Sequence, residues 1–202
     1  RPDELAHISR FCKMAQLIMD RAKQEGRPQD ILEIGCGEVW TLRYLYKAFV
    51  SRKEEIVNSY TGMDIDPACL VDWWVDDDLD VTDHQWFKTM TGGNGRIVLQ
   101  DLTTNPEPPV EDESMDVFMT TEVIEHMGRQ FIEPWIEASW RKLRPNGIAY
   151  ISTPNHDGSN DKLPKDHVYE WGYEELKTLL EKYYTIERHY GTFTQMNNFK
   201  RN

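Results

Sequence analysis

The order of the residues predicts an α/β fold, with a mostly parallel sheet carrying helices on both faces, on three observations. Short β-branched or apolar runs recur at 30–34, 59–64, 96–102, 115–119 and 148–152, each bounded by glycine, proline or acid. Between several of them lie segments with apolar residues at helical spacing, the alternation that lays down parallel strands joined by crossover helices. Several of the runs also end in glycines or carboxylates, and in open α/β sheets ligands sit beyond the carboxyl ends of the strands.

Composition sets the outer limits. A chain of 202 residues suits one well-filled domain, taken as 1–202, and 39% hydrophobic content with seven tryptophans supports a real core. No apolar run approaches the ~18 residues of a membrane span. Arg1-Pro2-Asp3-Glu4 leads straight into an amphipathic segment, with no signal peptide. The expectation is a soluble monomer that makes no use of a membrane, cut from a longer natural chain. Cys12, Cys36 and Cys69 are odd in number and form no Cys-x-x-Cys pattern, which points to free thiols in a reducing, cytoplasmic compartment, with neither disulfide nor zinc. A formal net charge of −12 excludes a protein that grips nucleic acid mainly through a basic surface. An RNA substrate would need local contacts, a bridging cation or a partner to offset the repulsion.

Leu5, Ile8, Phe11, Met14, Ala15, Ile18, Met19 and Ala22 fall near helical spacing, so 3–25 reads as one helix ended by Gly26 and Pro28. Asp30-Ile31-Leu32-Glu33-Ile34-Gly35-Cys36-Gly37 is a strand entering a glycine turn, followed by a helical pattern through Leu42, Leu45, Tyr46 and Phe49. Glycines at 35 and 37 let the backbone turn sharply and approach a ligand closely. A second strand, 59–64, follows about 25 residues later and ends in Asp64. This is the spacing of a nucleotide-binding βαβ unit, in which the second acid accepts ribose hydroxyls. The competing reading is a plain glycine turn capped by an aspartate. Residues 70–80, acidic with Trp73 and Trp74, read as a solvated insertion. The strand at 96–102 contains Asp101 and Leu102, and the proline-rich stretch after it reads as a loop.

L-E-I-G-C-G followed by G-M-D-I-D resembles the first two motifs of the class I S-adenosylmethionine-dependent methyltransferases, and the resemblance covers nearly the whole chain. It implies a Rossmann-like sheet of seven strands, mostly parallel, ending in an antiparallel hairpin. It also implies S-adenosyl-L-methionine as cofactor, with Glu33, Gly35 and Gly37 lining its methionine side, Asp64 on its ribose, Ile65 on the adenine, and Asp101 and Leu102 close by.

The second half holds the chemistry. Met115-Asp116-Val117-Phe118-Met119 reads as a buried strand, and Glu122, Glu125 and His126 follow at i, i+3 and i+4. One helical turn at that spacing aims two carboxylates and an imidazole the same way. Such hard oxygen and imidazole ligands suit magnesium or manganese, and His167 is the candidate fourth ligand. The alternative is a solvated charged face. A helix is expected over 131–143, stopped by Pro145-Asn146-Gly147, then a strand at 148–152 leading into Thr153-Pro154-Asn155-His156. Beyond the loop at 157–166 come His167, a helix over 173–183, and segments 185–189 and 192–199 paired as a hairpin about Gly191.

E-V-I-E-H-M, S-T-P-N, D-H-V-Y-E-W and T-Q-M-N-N-F-K-R-N together resemble the small-RNA 3′-terminal 2′-O-methyltransferases, the HUA-enhancer family. That resemblance implies Glu122, Glu125, His126 and His167 as the residues of a magnesium or manganese site that is also the catalytic site. It implies the 3′ end of a single-stranded small RNA as substrate, presented by an Argonaute or Piwi-type protein, in RNA-mediated gene silencing. The family continues S-T-P-N with an acid, Phe and Asn, whereas this chain has His156-Asp157-Gly158-Ser159-Asn160. His156 therefore stands as a rival to His167.

Overall fold

The computed structural model describes residues 2–49, 56–69, 84–88, 94–156 and 162–191. The described strands are β1 (Gln29–Ile34), β2 (Val57–Asp64), β3 (His84–Lys88), β4 (Asn94–Leu99), β5 (Met115–Thr121) and β6 (Leu143–Ser152). They form one sheet in the order β3-β4-β2-β1-β5-β6, parallel throughout except for the β3–β4 pair. The helices are α1 (Pro2–Glu25), α2 (Trp40–Phe49), α3 (Arg129–Lys142) and α4 (Tyr173–Leu180).

Strand alternation divides the core in two. Ile31 of β1 packs with Met14, Ile18 and Leu45 from α1 and α2, together with Tyr60, Ile97 and Val117. Leu32 and Ile34 point the other way, into a layer with Phe118, Trp135 and Ile136 of α3, and Leu179 of α4. The chain moves from β1 outward through β2 to β4, then returns to lay β5 on the other side of β1. The strand order thus reverses between β1 and β5, and the loops after these two strands flank the crevice where open α/β sheets bind ligands.

The opposite end of the sheet is held by charge. Fully buried Asp116 accepts from both Arg27 guanidinium nitrogens, at 2.8 and 2.7 Å, and from the Asp30 amide at 2.9 Å. Arg144 reaches Asp116 at 2.8 Å and Asp30 at 2.9 Å. These partners hold the Asp116 carboxyl near a pKa of about 2 against the cost of burial, and they pin β1, β5 and β6 together below the crevice.

Several expectations are corrected. Six strands are described, and the antiparallel one is β3, which the sequence reading missed. Residues 185–191 form no strand, so the first limb of the expected hairpin is absent, while 192–199 lie outside the described residues. The Trp73–Trp74 segment, the stretch 157–161 and the final T-Q-M-N-N-F-K-R-N lie outside them too. β6 starts at Leu143 and takes in Pro145-Asn146-Gly147, because Asn146 adopts φ +65° and the pairing with β5 shifts register there. α4 stops at Leu180, short of residue 183. No described helix is long and apolar enough to cross a membrane.

Candidate active site at the sheet crevice

The glycine loop is built as the sequence predicts, but one of its members serves a different purpose. Gly35 and Gly37 both have positive φ, +71° and +47°, a region that other residues enter only with strain. A Cβ on Gly35 would lie 2.1 Å from Val123 Cγ2, so this glycine also lets the β5 loop close over β1. A Cβ on Gly37 would meet nothing within 4 Å, which leaves open space above the loop. Glu33 does not line that space. It shares the inward parity of Ile31, and its carboxylate is buried, accepting from Tyr60 Oη at 2.5 Å and Thr41 Oγ1 at 2.8 Å. Burial outweighs these two donors and raises its pKa to about 7. Glu33 therefore braces β1, β2 and α2 beneath the loop.

Asp64, at the carboxyl end of β2, accepts from Gly37 N at 2.8 Å and Asp66 N at 3.0 Å. It caps the loop, and each oxygen keeps a second lone pair for another donor. Ile65 follows with 67% of its surface exposed, an apolar ledge beside the loop. Asp101 accepts from the amide and hydroxyl of Thr103 at 2.8 and 2.7 Å, an Asx turn that depresses its pKa. Leu102 is buried with Met63 and Val98, so its side chain belongs to the core and not to a ligand surface.

Across the crevice, the helical turn expected from Glu122 to His126 does not form as one unit. Glu122 still belongs to the end of the β5–β6 pairing, its amide donating to Ser152 O at 2.9 Å. Its backbone is left-handed at φ +54°, an unusual conformation for a non-glycine residue. A 3₁₀ turn, Ile124–His126, begins only after it. Glu122 is turned toward Ser152 Oγ, which donates to Oε1 at 3.0 Å, and toward Arg10, 3.6 Å from Oε2.

Three of the four expected ligands do come together. Glu125, His126 and His167 each offer one ligand atom, and these atoms lie within 4.8 Å of one another. Glu125 is only 1% exposed. Thr153 donates to its Oε2 at 2.9 Å, while Oε1, 3.8 Å from His126 Nε2, is buried without a hydrogen-bond partner. Burial raises the Glu125 pKa, helped by the nearby charge of Glu122. A solvated charged face does not describe this carboxylate. His126 Nδ1 lies 2.9 Å from the Asp166 carbonyl and His167 Nδ1 lies 2.6 Å from Glu170 Oε1. The two rings meet edge to face, 5.1 Å between centroids. The amides of Val168 and Tyr169 donate to Glu125 O at 2.7 and 3.1 Å, which joins the two distant motifs. His156 is exposed and stands outside the cluster, its amide bonded to Trp171 O at 2.9 Å. Thr153, Glu170 and Arg10 were not singled out from sequence, although the first two sit within quoted motifs.

Comparison with known proteins agrees with the fold. The family profile "Methyltransferase domain" matches residues 6–198, and the chain belongs to that family. Its sheet is the Rossmann-like fold of the class I methyltransferases. A relative in Mycolicibacterium smegmatis, described as a probable S-adenosylmethionine-dependent methyltransferase, is 25% identical over 183 residues. The match takes in 88% of this chain and 60% of that protein, so the chain spans well under the relative's full length. Among solved structures, the Burkholderia thailandensis 1,6-didemethyltoxoflavin-N1-methyltransferase, with its substrate and S-adenosylhomocysteine bound, superposes with a TM-score of 0.57. It shares 16% identity, over 86% of this chain and 66% of that one. The [4+2]-cyclase SpnF gives a TM-score of 0.58 at 14% identity, over 85% of this chain and 55% of that one. At such identities the likeness is one of fold, and the acceptor has to be argued from the site itself.

Proposed function

We propose that this chain transfers a methyl group from S-adenosyl-L-methionine to a ribose hydroxyl at the 3′ end of an RNA, with a divalent cation held by Glu125, His126 and His167. The observation that carries the reading is the buried, unpartnered Glu125 Oε1 beside two imidazoles. A buried carboxylate oxygen without a donor is costly, and a cation supplies what it lacks. One carboxylate and two imidazoles suit a first-row divalent ion such as manganese better than magnesium, whose preferred shell is all oxygen.

The residues present fit both absent groups. Open space over Gly37, the second lone pairs of Asp64 and the apolar ledge of Ile65 suit the methionine, ribose and adenine parts of the donor. The donor supplies a methyl already carried on a positively charged sulfur, which leaves positioning as the protein's main contribution. A bound divalent ion would ease loss of the proton from a neighbouring hydroxyl, as it does for water. Glu122, three residues before Glu125 and turned to Arg10 and Ser152, stands outside the cluster. A vicinal diol matches such a site, and in RNA only the terminal ribose has both hydroxyls free.

A second reading has its own support. The Burkholderia neighbour acts on a small molecule, and the net charge of −12 disfavours a long phosphate chain. On that reading the acceptor is a metabolite, no ion is needed, and His167 Nε2, with Nδ1 fixed by Glu170, takes the acceptor's proton. Transfer of labelled methyl to a short RNA, with and without chelator, separates the two. The ribose reading expects activity that chelator removes and that a 2′-deoxy 3′-terminal nucleotide abolishes. Methylation of a small molecule that chelator leaves unchanged would overturn it.

A further inference from the structure

We infer that Glu170 is a positioning residue for the ion site: its carboxylate fixes the His167 ring so that Nε2, not Nδ1, faces Glu125 and His126. The inference rests on the ion reading above and adds to it a residue outside the cluster itself. His167 Nδ1 lies 2.6 Å from Glu170 Oε1, both side chains being mostly buried. An ionised carboxylate only accepts, so this contact requires the hydrogen on Nδ1, and in the neutral ring that metal binding needs it leaves Nε2 with its bare lone pair. The backbone does not do this alone. Val168 N and Tyr169 N bonded to Glu125 O, and the bridge between Asn155 and Trp171, fix where the 167–171 segment lies. They leave the rotation of the ring about its own bonds undetermined. Glu170 supplies that constraint. The Asp166 carbonyl performs the same service for His126, lying 2.9 Å from its Nδ1 while Nε2 lies 3.8 Å from Glu125 Oε1. Carboxylates and carbonyls that hold the far nitrogen of a histidine ligand set its tautomer and raise its basicity, and their loss typically costs 10- to 100-fold in metal affinity.

The test uses manganese as probe, free Mn2+ being counted by electron paramagnetic resonance, on the wild type, Glu170→Ala, Glu170→Gln and His167→Ala. Nitrogen-15 correlation spectra of the metal-free proteins read the His167 tautomer directly. The expected result is a hydrogen on Nδ1 in the wild type and Glu170→Gln, whose amide oxygen still accepts, and a mixture with Nε2–H in Glu170→Ala. Manganese affinity should fall about 10- to 100-fold in Glu170→Ala and stay within a few-fold of wild type in Glu170→Gln. Unchanged tautomer and affinity in Glu170→Ala, with binding lost in His167→Ala, would overturn the role of Glu170 and spare the ion site. Absence of manganese binding by the wild type would overturn the ion site, and the role of Glu170 with it.

Discussion

Glu125→Gln should make the ion-free protein more stable while removing its response to divalent ions. Glu125 is 1% exposed, with Thr153 donating to one oxygen and nothing to the other. Its raised pKa records the cost of keeping a charge there, desolvation first and then the field of Glu122. Because the folded state holds this proton more tightly than the unfolded chain, the ionised carboxylate subtracts stability at pH values above its folded pKa. Glutamine keeps the shape and the bond from Thr153, and its amide faces His126 Nε2, 3.8 Å from the present oxygen. An unsatisfied buried polar group costs about 1–3 kcal/mol. Relief of about 1 kcal/mol would raise Tm by roughly 2–4 °C in a domain of this size. In wild type, an ion at 100 times its Kd would add about 2.7 kcal/mol. The assay is thermal unfolding by circular dichroism at pH 7.5, in EDTA and across a manganese titration. The reasoning is refuted if the variant is less stable than wild type in EDTA and wild type gains nothing from manganese.

Three further outcomes follow from the same contacts. Gly35→Ala combines a left-handed backbone, about 1–2 kcal/mol, with a Cβ 2.1 Å from Val123 Cγ2, an overpacking cost of about 1–3 kcal/mol. It should lower urea stability by roughly 2–5 kcal/mol and weaken S-adenosylhomocysteine binding by calorimetry, since Val123 adjoins both loops. The Glu33 carboxyl, at about 7 folded against 4.5 unfolded, should make stability fall by roughly 3 kcal/mol as pH climbs through that window. Urea unfolding of the wild type and Glu33→Gln should therefore show a fall over that window that is smaller by about this amount in the variant. Asp116, depressed from 3.8 to about 2, works in the opposite direction. Its contribution, up to about 2 kcal/mol, is complete above pH 4 and is lost as pH falls toward 2, a loss that Asp116→Asn should not show.

The crevice was legible because its parts are local. A strand entering Gly-x-Gly and a second strand ending in an acid carry their geometry in spacing alone, and the structure puts Gly35, Gly37, Asp64 and Ile65 at the carboxyl edge of β1 and β2. Glu33 was misread although the signal was present. It shares the parity of Ile31, opposite to Leu32 and Ile34, and strand alternation sends it into the α1–α2 core. Glu122 was misread for a reason that no local pattern reveals. Its amide is held by Ser152, thirty residues on, which keeps it in the sheet and turns its backbone left-handed, so helical spacing begins only beyond it. Glu125, His126 and His167 do meet, but through the amides of Val168 and Tyr169 bonded to the Glu125 carbonyl, a contact that only the folded chain provides. β3 pairs with β4 at the edge of the sheet, in residues 84–88, to which the sequence reading assigned no element.

The central claim is that Glu125, His126 and His167 enclose a cation facing the cofactor crevice. Crystals grown with manganese and S-adenosylhomocysteine, measured near the manganese absorption edge, test it most directly. The account predicts an anomalous peak within bonding distance of Glu125 Oε1 and both Nε2 atoms, on the side of the crevice that the cofactor's sulfur faces. A cofactor bound at the glycine loop, with no peak beside Glu125 at saturating manganese, would contradict it.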